Sequence, residues 1–552
     1  MKNFSFFKTK KKSIYIILLG VFLLGFFFRS WNVTNTPPSL YWDEVSQGYN
    51  SYSILTTGKD EHQEFFPLAR FQAFGDYKAP VYIYLDVPFI AMFGKTELAI
   101  RLPSIIFGSL TILLVYFLVQ SLLHTFVKKE IIGLISAFLL VISPWHIQLS
   151  RAAFEANIAT FFTILGVTLF LYAVQKKPGV LLASSISFVI AIYSFNAHRI
   201  FVPLLGVLLL GVEWEKLWKI KKQVLLAGSI GIILLLPFLI YIRTPESKLR
   251  FQEVNIFSDV SIVKKSNELI AHDHNSFFAT VIYNRRVLFA KKYIEHYFDF
   301  FSPDYLFFKG DVNPRFSDQD NGELFLWMLP LLLIGIYLIC VKKNKATIII
   351  VGWFLLAPVA AATARETPHA LRSETYIPMY EIIAGVGATG LYIVVKQYRS
   401  KLLPIFYGLA SITIVFSLVQ FWHNYLVHSP VRYSADWQYG YKQTIQQVAK
   451  IARNYDKIYF TDSYGRAYIY VAWYTEITPQ QFWKSVMTHK DAYGLYTVSS
   501  LGKYQFTENY SSNESGKILY VTTADHVPID VKTLTKVNFL NGNTAFVISE
   551  KL

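Results

Sequence analysis

Long apolar runs separated by short basic connections set the pattern of the chain. The runs occupy about 14–29, 80–94, 102–123, 131–149, 156–174, 179–195, 200–213, 223–243, 323–341, 346–363, 378–396 and 401–422. Most of them approach the roughly 20 residues that a helix needs to cross a bilayer. The second run, "APVYIYLDVPFIAMFG", is short and carries Asp86 and Pro88. A carboxylate in mid-bilayer costs on the order of 2.5–3.5 kcal/mol even on lenient scales. Charge placement decides its fate. If 80–94 does not span, then "HTFVKKE", "QKKPG", "EKLWKIKKQ", "VKKNK" and "KQYRSK" share a side with the N-terminal "KTKKK". If it spans, all five move against the bias of cytoplasmic loops toward Lys and Arg. The pattern therefore predicts about eleven spans, with 80–94 a re-entrant or juxtamembrane helix, the N-terminus inside and the C-terminus outside.

This topology gathers 30–101, 143–156, 194–200, 244–322 and 363–377 on the outer face. From residue 424 the period changes. "TIQQVAKIARNYDKIYFTDSYG" reads as an amphipathic helix and a strand, and "KILYVTT", "TLTKVNF" and "TAFVISE" as further strands. The expected fold class is an α-helical polytopic membrane protein with a small C-terminal extracytoplasmic α/β domain, divided as 1–423 and 424–552. The connection 244–322 is long, which points to function. Its stretch "SNELIAHDHNSFFATVIYNRRVLFAKKYIEHYFDFF" is helical and amphipathic in pattern, suited to a lid or wall of a site.

Composition agrees: of 552 residues, 53% are hydrophobic and 16% charged, so a soluble chain is excluded. The net charge of +16 would suggest nucleic acid in a soluble protein. Here the basic residues sit between apolar runs and no nucleic-acid module is present, so nucleic acid is set aside as a partner and the lipid bilayer takes its place. One cysteine, Cys340, allows no intrachain disulfide and no Cys metal cluster. No small-x-small cleavage site follows "SIYIILLGVFLLGFFFRSW", which reads as an uncleaved first span.

The outer loops carry the polar residues with chemical potential. Asp43 and Glu44 follow Tyr41 and Trp42, and open an amphipathic helical pattern ending at Gly58. Asp43 suits a helix N-cap; equally, a partly desolvated carboxylate there can accept a proton from an attacking hydroxyl. Lys78 stands at the head of the 80–94 segment, either snorkelling or binding an anion such as phosphate with the helix N-terminus. Arg151 and Glu155 have i,i+4 spacing, as a surface ion pair or as phosphate or metal contacts. "SFNAHRIFVP" places His198 and Arg199 outside, and "ARETPHALRSETYIP" adds Arg365, His369 and Arg372. Outer Arg and His oppose the usual bias and ask for an anion. That anion is a phosphate or pyrophosphate, or a lipid headgroup.

The run "YWDE", then "YKAPVYIYL…FGKTELAIRLPSIIFGSLTILLVYFL", then "SPWHIQLSRAAFEANIATFF" resembles the GT-C membrane glycosyltransferases over roughly 14–375. Within them it is similar to bacterial members of family 39, the protein O-mannosyltransferases and aminoarabinose transferases. The resemblance implies a base at Asp43, with Glu44 beside it. It implies a carrier-phosphate contact at Lys78, where the family's Lys-Pro-Pro reads Lys78-Ala79-Pro80. The acid after "S-R", often Asp, is Glu155 here. The implied reaction moves a sugar from a polyprenyl phosphate to a hydroxyl of a protein, lipid or glycan at the outer face of the plasma membrane. Lys78, Arg151, His198, Arg199, His369 and Arg372 would meet the donor phosphate. No cofactor is required; Mg²⁺ or Mn²⁺ through Asp43 and Glu155 stays open. A transporter or flippase of lipid-linked sugars would share the spans and arginines, though no internal repeat is visible. A polymerase or ligase acting on lipid pyrophosphate differs in donor, and a non-enzymatic scaffold leaves the outer charges unexplained.

Overall fold

The computed structural model describes residues 2–551 apart from 75, 246, 248–253, 491–495 and 511–514. Part of the long connection 244–322 therefore lies outside the described residues. Among the described residues, six helices are long and apolar enough to cross a membrane, or seven if Lys129–Ile142 and Pro144–Arg151, bent by 58°, form one span. The others expected to span are the shorter apolar helices Pro178–Ser194, His198–Val212, Met328–Lys342 and Lys345–Ala361. At 1.5 Å per residue a 15-residue helix such as His198–Val212 reaches only about 22 Å, less than the hydrocarbon thickness. The 80–94 segment is the 14-residue helix Pro80–Phe93, entered through a Pro in its first turn.

The chain forms two compact units. One comprises 1–29, 106–150 and 154–421; the other comprises 30–105, 151–153 and 422–552. The outer segment 30–101 is thus grouped with the C-terminal domain, although the sequence division ran at residue 423.

The first unit is a helical bundle. Glu155–Gln175 packs on Leu181–Ser194, which packs on Lys221–Tyr241, and Met379–Tyr398 packs on both Lys129–Ile142 and Met328–Lys342. The last contact depends on glycine. A Cβ on Gly335 would lie 1.9 Å from the Ile383 carbonyl oxygen, and one on Gly387 the same distance from that of Leu331. Lipid supplies no hydrophobic drive between helices, so close backbone approach through small residues holds them. In the long connection the expected amphipathic helices are Val260–His272, Phe277–Ile282 and Arg285–Asp299. The side chains of Asp259, Ser276 and Asn284 cap their N-termini.

The second unit begins with helix Trp42–Thr57, a hairpin of β1 (Phe71–Ala73) and β2 (Asp76–Lys78), and helix Pro80–Phe93. Its C-terminal part has β3 (Lys457–Phe460), β4 (Val486–Lys490), β5 (Tyr496–Leu501), β6 (Tyr504–Phe506), β7 (Ile518–Thr522), β8 (Val531–Asn538) and β9 (Thr544–Lys551). They form one sheet in the order β4-β5-β6-β3-β7-β9-β8, with β3 parallel to β6 and β7. The Tyr441 and Tyr470 rings stack at 4.1 Å and 5° beside Phe460 and Phe546, forming an aromatic core.

Candidate active site

Helix Trp42–Thr57 starts one residue earlier than a cap at Asp43 would require: Tyr41 is the N-cap, and Asp43 and Glu44 fill the first turn. Two carboxylates suit the positive end of a helix. At the other end Gly58 takes the left-handed cap conformation, φ 72°, as its position in the pattern implied.

The two acids have different surroundings. Glu44 is fully buried and saturated. Its Oε1 accepts from Arg101 Nε at 2.9 Å and from the Ala153 N–H at 3.0 Å. Its Oε2 accepts from Arg101 Nη2 at 3.1 Å and from the Tyr41 N–H at 3.2 Å. Arg101 also donates to the carbonyls of Val33, Pro37 and Ser39 at 2.6–3.0 Å. Every guanidinium N–H is used, and the loop 33–39 is tied to the helix start. This geometry leaves Glu44 saturated, where the sequence set it beside Asp43 in the chemistry.

Asp43 remains accessible, its side chain 27% exposed, and Oδ1 pairs with Lys78 Nζ. Lys78 ends β2, and Ala79 caps the next helix with Pro80 at its first position. Lys-Ala-Pro therefore places the ammonium at a strand-to-helix corner, where a proline at N1 removes an amide that would lack a partner anyway. The ammonium also lies 5.8 Å from the Phe74 ring, and Arg466 lies 5.1 Å from the same ring. Arg466, in the left-handed region at φ 61°, opens helix Ala467–Tyr474.

Two further buried polar residues, Gln438 and Arg151, belong to the same unit. Gln438 Oε1 accepts from the Trp42 N–H at 2.9 Å and bonds the Tyr470 hydroxyl at 2.7 Å, while its Nε2 donates to the Tyr464 carbonyl at 3.0 Å. Arg151, wholly buried, donates to the Thr36 carbonyl at 2.8 Å and lies over the rings of Trp422 and Tyr425 at 5.6 and 5.4 Å. Arg151 does not share a helix face with Glu155. Helix Pro144–Arg151 ends there, and Glu155 opens the next helix after a break.

The remaining candidates belong to the first unit. His198 and Arg199 do not sit in a loop but begin helix His198–Val212. His198 is buried between the Phe195 and Phe201 rings, and Arg199 lies 4.9 Å from the Phe238 ring. His369 stacks on Phe316 at 4.7 Å, with Nδ1 3.6 Å from Asp311 Oδ2. Burial, reinforced by the charges of Arg372 and Arg315, holds the His369 imidazole well below its usual range. Asp311 accepts from the Ala370 and Asn313 N–H groups at 2.6 and 2.8 Å and is pushed up to about 6 by burial. Asp43 and Glu155, the suggested metal ligands, lie in separate units. Among the described residues no group of three or more His, Cys, Asp or Glu side chains is gathered as for a metal ion.

Residues 19–255 match the family model of dolichyl-phosphate-mannose-protein mannosyltransferase. Among solved structures, ArnT from Cupriavidus metallidurans in the apo state is similar with a TM-score of 0.55, at 12% identity and with 98% of both chains covered. The chain has the GT-C glycosyltransferase fold. The same ArnT bound to undecaprenyl phosphate matches with a TM-score of 0.52, again at 12% identity and 98% coverage of each. An archaeal oligosaccharyltransferase, AglB from Archaeoglobus fulgidus, aligns at 14% identity with a TM-score of 0.48; 80% of this chain is covered, and it spans 58% of AglB. No curated protein sequence matches the chain. The GT-C fold accounts for both observed components, the helical bundle and the C-terminal sheet domain.

Proposed function

We propose that this chain is an inverting glycosyltransferase of the plasma membrane. It moves a sugar from a polyprenyl-phosphate donor to a hydroxyl acceptor on the outer face. The observation that carries the proposal is the pairing of an accessible carboxylate, Asp43, with the Lys78 ammonium, beside a second carboxylate already saturated by Arg101. In this reading the donor phosphate takes the ammonium from Asp43. The freed carboxylate then accepts the proton of the acceptor hydroxyl as its oxygen attacks the anomeric carbon. The bond from that carbon to the phosphate oxygen breaks, the electron pair leaves with the phosphate, and Lys78 stabilises the charge in place. A single displacement inverts the anomeric centre. The ArnT structure of the same fold that holds undecaprenyl phosphate supports the donor class. The chain's own residues suffice for each step, and Mg²⁺ or Mn²⁺ dependence is read out by chelation.

The test is transfer by purified protein from a panel of polyprenyl-phosphate sugars, with and without chelator, and with NMR of the product's anomeric centre. One or more donors should be consumed with inversion. Consumption of lipid-pyrophosphate saccharides alone would make the chain a polymerase or ligase, and transbilayer movement without bond cleavage would make it a transporter.

A further inference from the structure

Within the helical bundle, helices Lys129–Ile142, Met328–Lys342, Met379–Tyr398 and Leu403–His423 line a cavity of about 610 Å³. Its wall is almost wholly apolar, formed among others by Ile135, Phe138, Leu331, Phe406 and Ile414. Helix Leu403–His423 buries only Phe421 along its length, so the bilayer covers most of it, and the cavity lies where this helix stands against the bundle. A space of this volume suits a small apolar ligand.

Charge at one end says which apolar ligand. Tyr392 lines the cavity, and two ammonium groups sit by its ring: Lys128 Nζ at 4.8 Å and Lys396 Nζ at 5.8 Å from the centroid. Lys128 precedes helix Lys129–Ile142 in the left-handed conformation, φ 62°, and Lys396 lies in the last turn of Met379–Tyr398. One ring face offers a quadrupole and not a counter-charge, so two cations around it are complemented by an anion. Both lysines lie at the basic ends of their spans, where the positive-inside bias places the anionic leaflet.

We propose that this cavity is a resident-lipid site for an anionic glycerophospholipid. One acyl chain fills the space beside Leu403–His423, and the headgroup phosphate meets Lys128 and Lys396. The lipid supplies packing for a helix that few protein side chains cover.

The test uses the full-length protein, stripped of lipid in detergent and titrated with phosphatidylglycerol or phosphatidylcholine of identical chains, read by native mass spectrometry and thermal unfolding. One phosphatidylglycerol should be retained and should raise the unfolding temperature, with phosphatidylcholine retained far less. The K128A/K396A variant should lose retention roughly tenfold or more, since each basic residue contributes several-fold, while K128R/K396R keeps it. A410F, which narrows the cavity, should weaken both lipids. Equal retention of the two lipids would overturn the proposal, as would unchanged phosphatidylglycerol retention in K128A/K396A. So would displacement of phosphatidylglycerol by an equal concentration of undecaprenyl phosphate, which would make the site one for isoprenoid chains. If A410F does not fold, the lysine variants alone decide.

Discussion

The adjacent acids Asp43 and Glu44 should respond oppositely to removal of their charge. E44Q keeps the shape of a side chain that accepts four hydrogen bonds, from Tyr41, Arg101 twice, and Ala153. It leaves the Arg101 guanidinium, wholly buried, without its counter-ion. Breaking one side of a buried pair costs about 3–5 kcal/mol, and the Gln NH2 would face two N–H donors where a carboxylate oxygen accepted, which puts the cost at the upper end, about 5 kcal/mol. At roughly 2–4 °C per kcal/mol for a unit of this size, the unfolding temperature should fall by about 10–20 °C. D43N keeps an amide oxygen that can accept from the Lys78 ammonium, so about 1 kcal/mol is at stake although the pair is part-buried, with 10% of Lys78 and 27% of Asp43 exposed. Its unfolding temperature should stay within about 4 °C of the parent. Its turnover should fall roughly 10²–10⁴-fold, the usual contribution of a general base. Scanning fluorimetry and single-turnover transfer, measured on the same preparations, separate the two effects. A D43N protein with turnover within tenfold of the parent would remove Asp43 from the chemistry. An E44Q protein with unchanged unfolding temperature but abolished turnover would show that the two acids have been given each other's parts.

Three other outcomes follow from named contacts. K78A should raise the donor Kd by roughly tenfold or more, since a charge-assisted contact to phosphate is worth about 1.5–3 kcal/mol; titration with an unreactive polyprenyl phosphate measures it. G387A should cost about 1–3 kcal/mol, because its new Cβ would stand 1.9 Å from the Leu331 carbonyl oxygen and must push two helices apart; fluorimetry reads the loss. The connection 304–323 should open more readily at pH 8 than at pH 5. Burial pushes Asp311 and Asp318 up to about 6, so the fold favours their neutral forms. That stability is complete below the ordinary carboxylate range and is lost as pH rises through about 6. Hydrogen exchange of 304–323, corrected for intrinsic rates, should show the trend, and D311N should reduce it.

What could be read from the sequence was what is written locally. Apolar period and basic connections revealed the helical bundle and the amphipathic helices of the long connection. Strands β7, β8 and β9 are visible as short β-branched and aromatic runs, although β7 and β9 are buried on both faces and do not alternate. Strands β4, β5 and β6 were missed because β6 has three residues and β4 and β5 gain regularity only by pairing. The bend after Arg151 was hidden because Arg151 and Glu155 have helical spacing whether or not a helix joins them. The division of labour between Asp43 and Glu44 is the clearest case of information that local pattern cannot hold. The partner that removes Glu44 from solvent, Arg101, lies 57 residues away, and Gln438, which holds the helix start, lies 396 residues from Trp42. Both are ordinary polar residues in their own neighbourhoods, and neither announces its use. Saturation is itself the physical reason the acids diverge. A carboxylate with four donors has no lone pair to offer a substrate, whereas in the proposed mechanism Asp43 exchanges the Lys78 ammonium for a proton. Glu44 and Arg101, buried together, tie the loop 33–39 to the first helical turn, and in the proposed mechanism this fixes where Asp43 presents its oxygen.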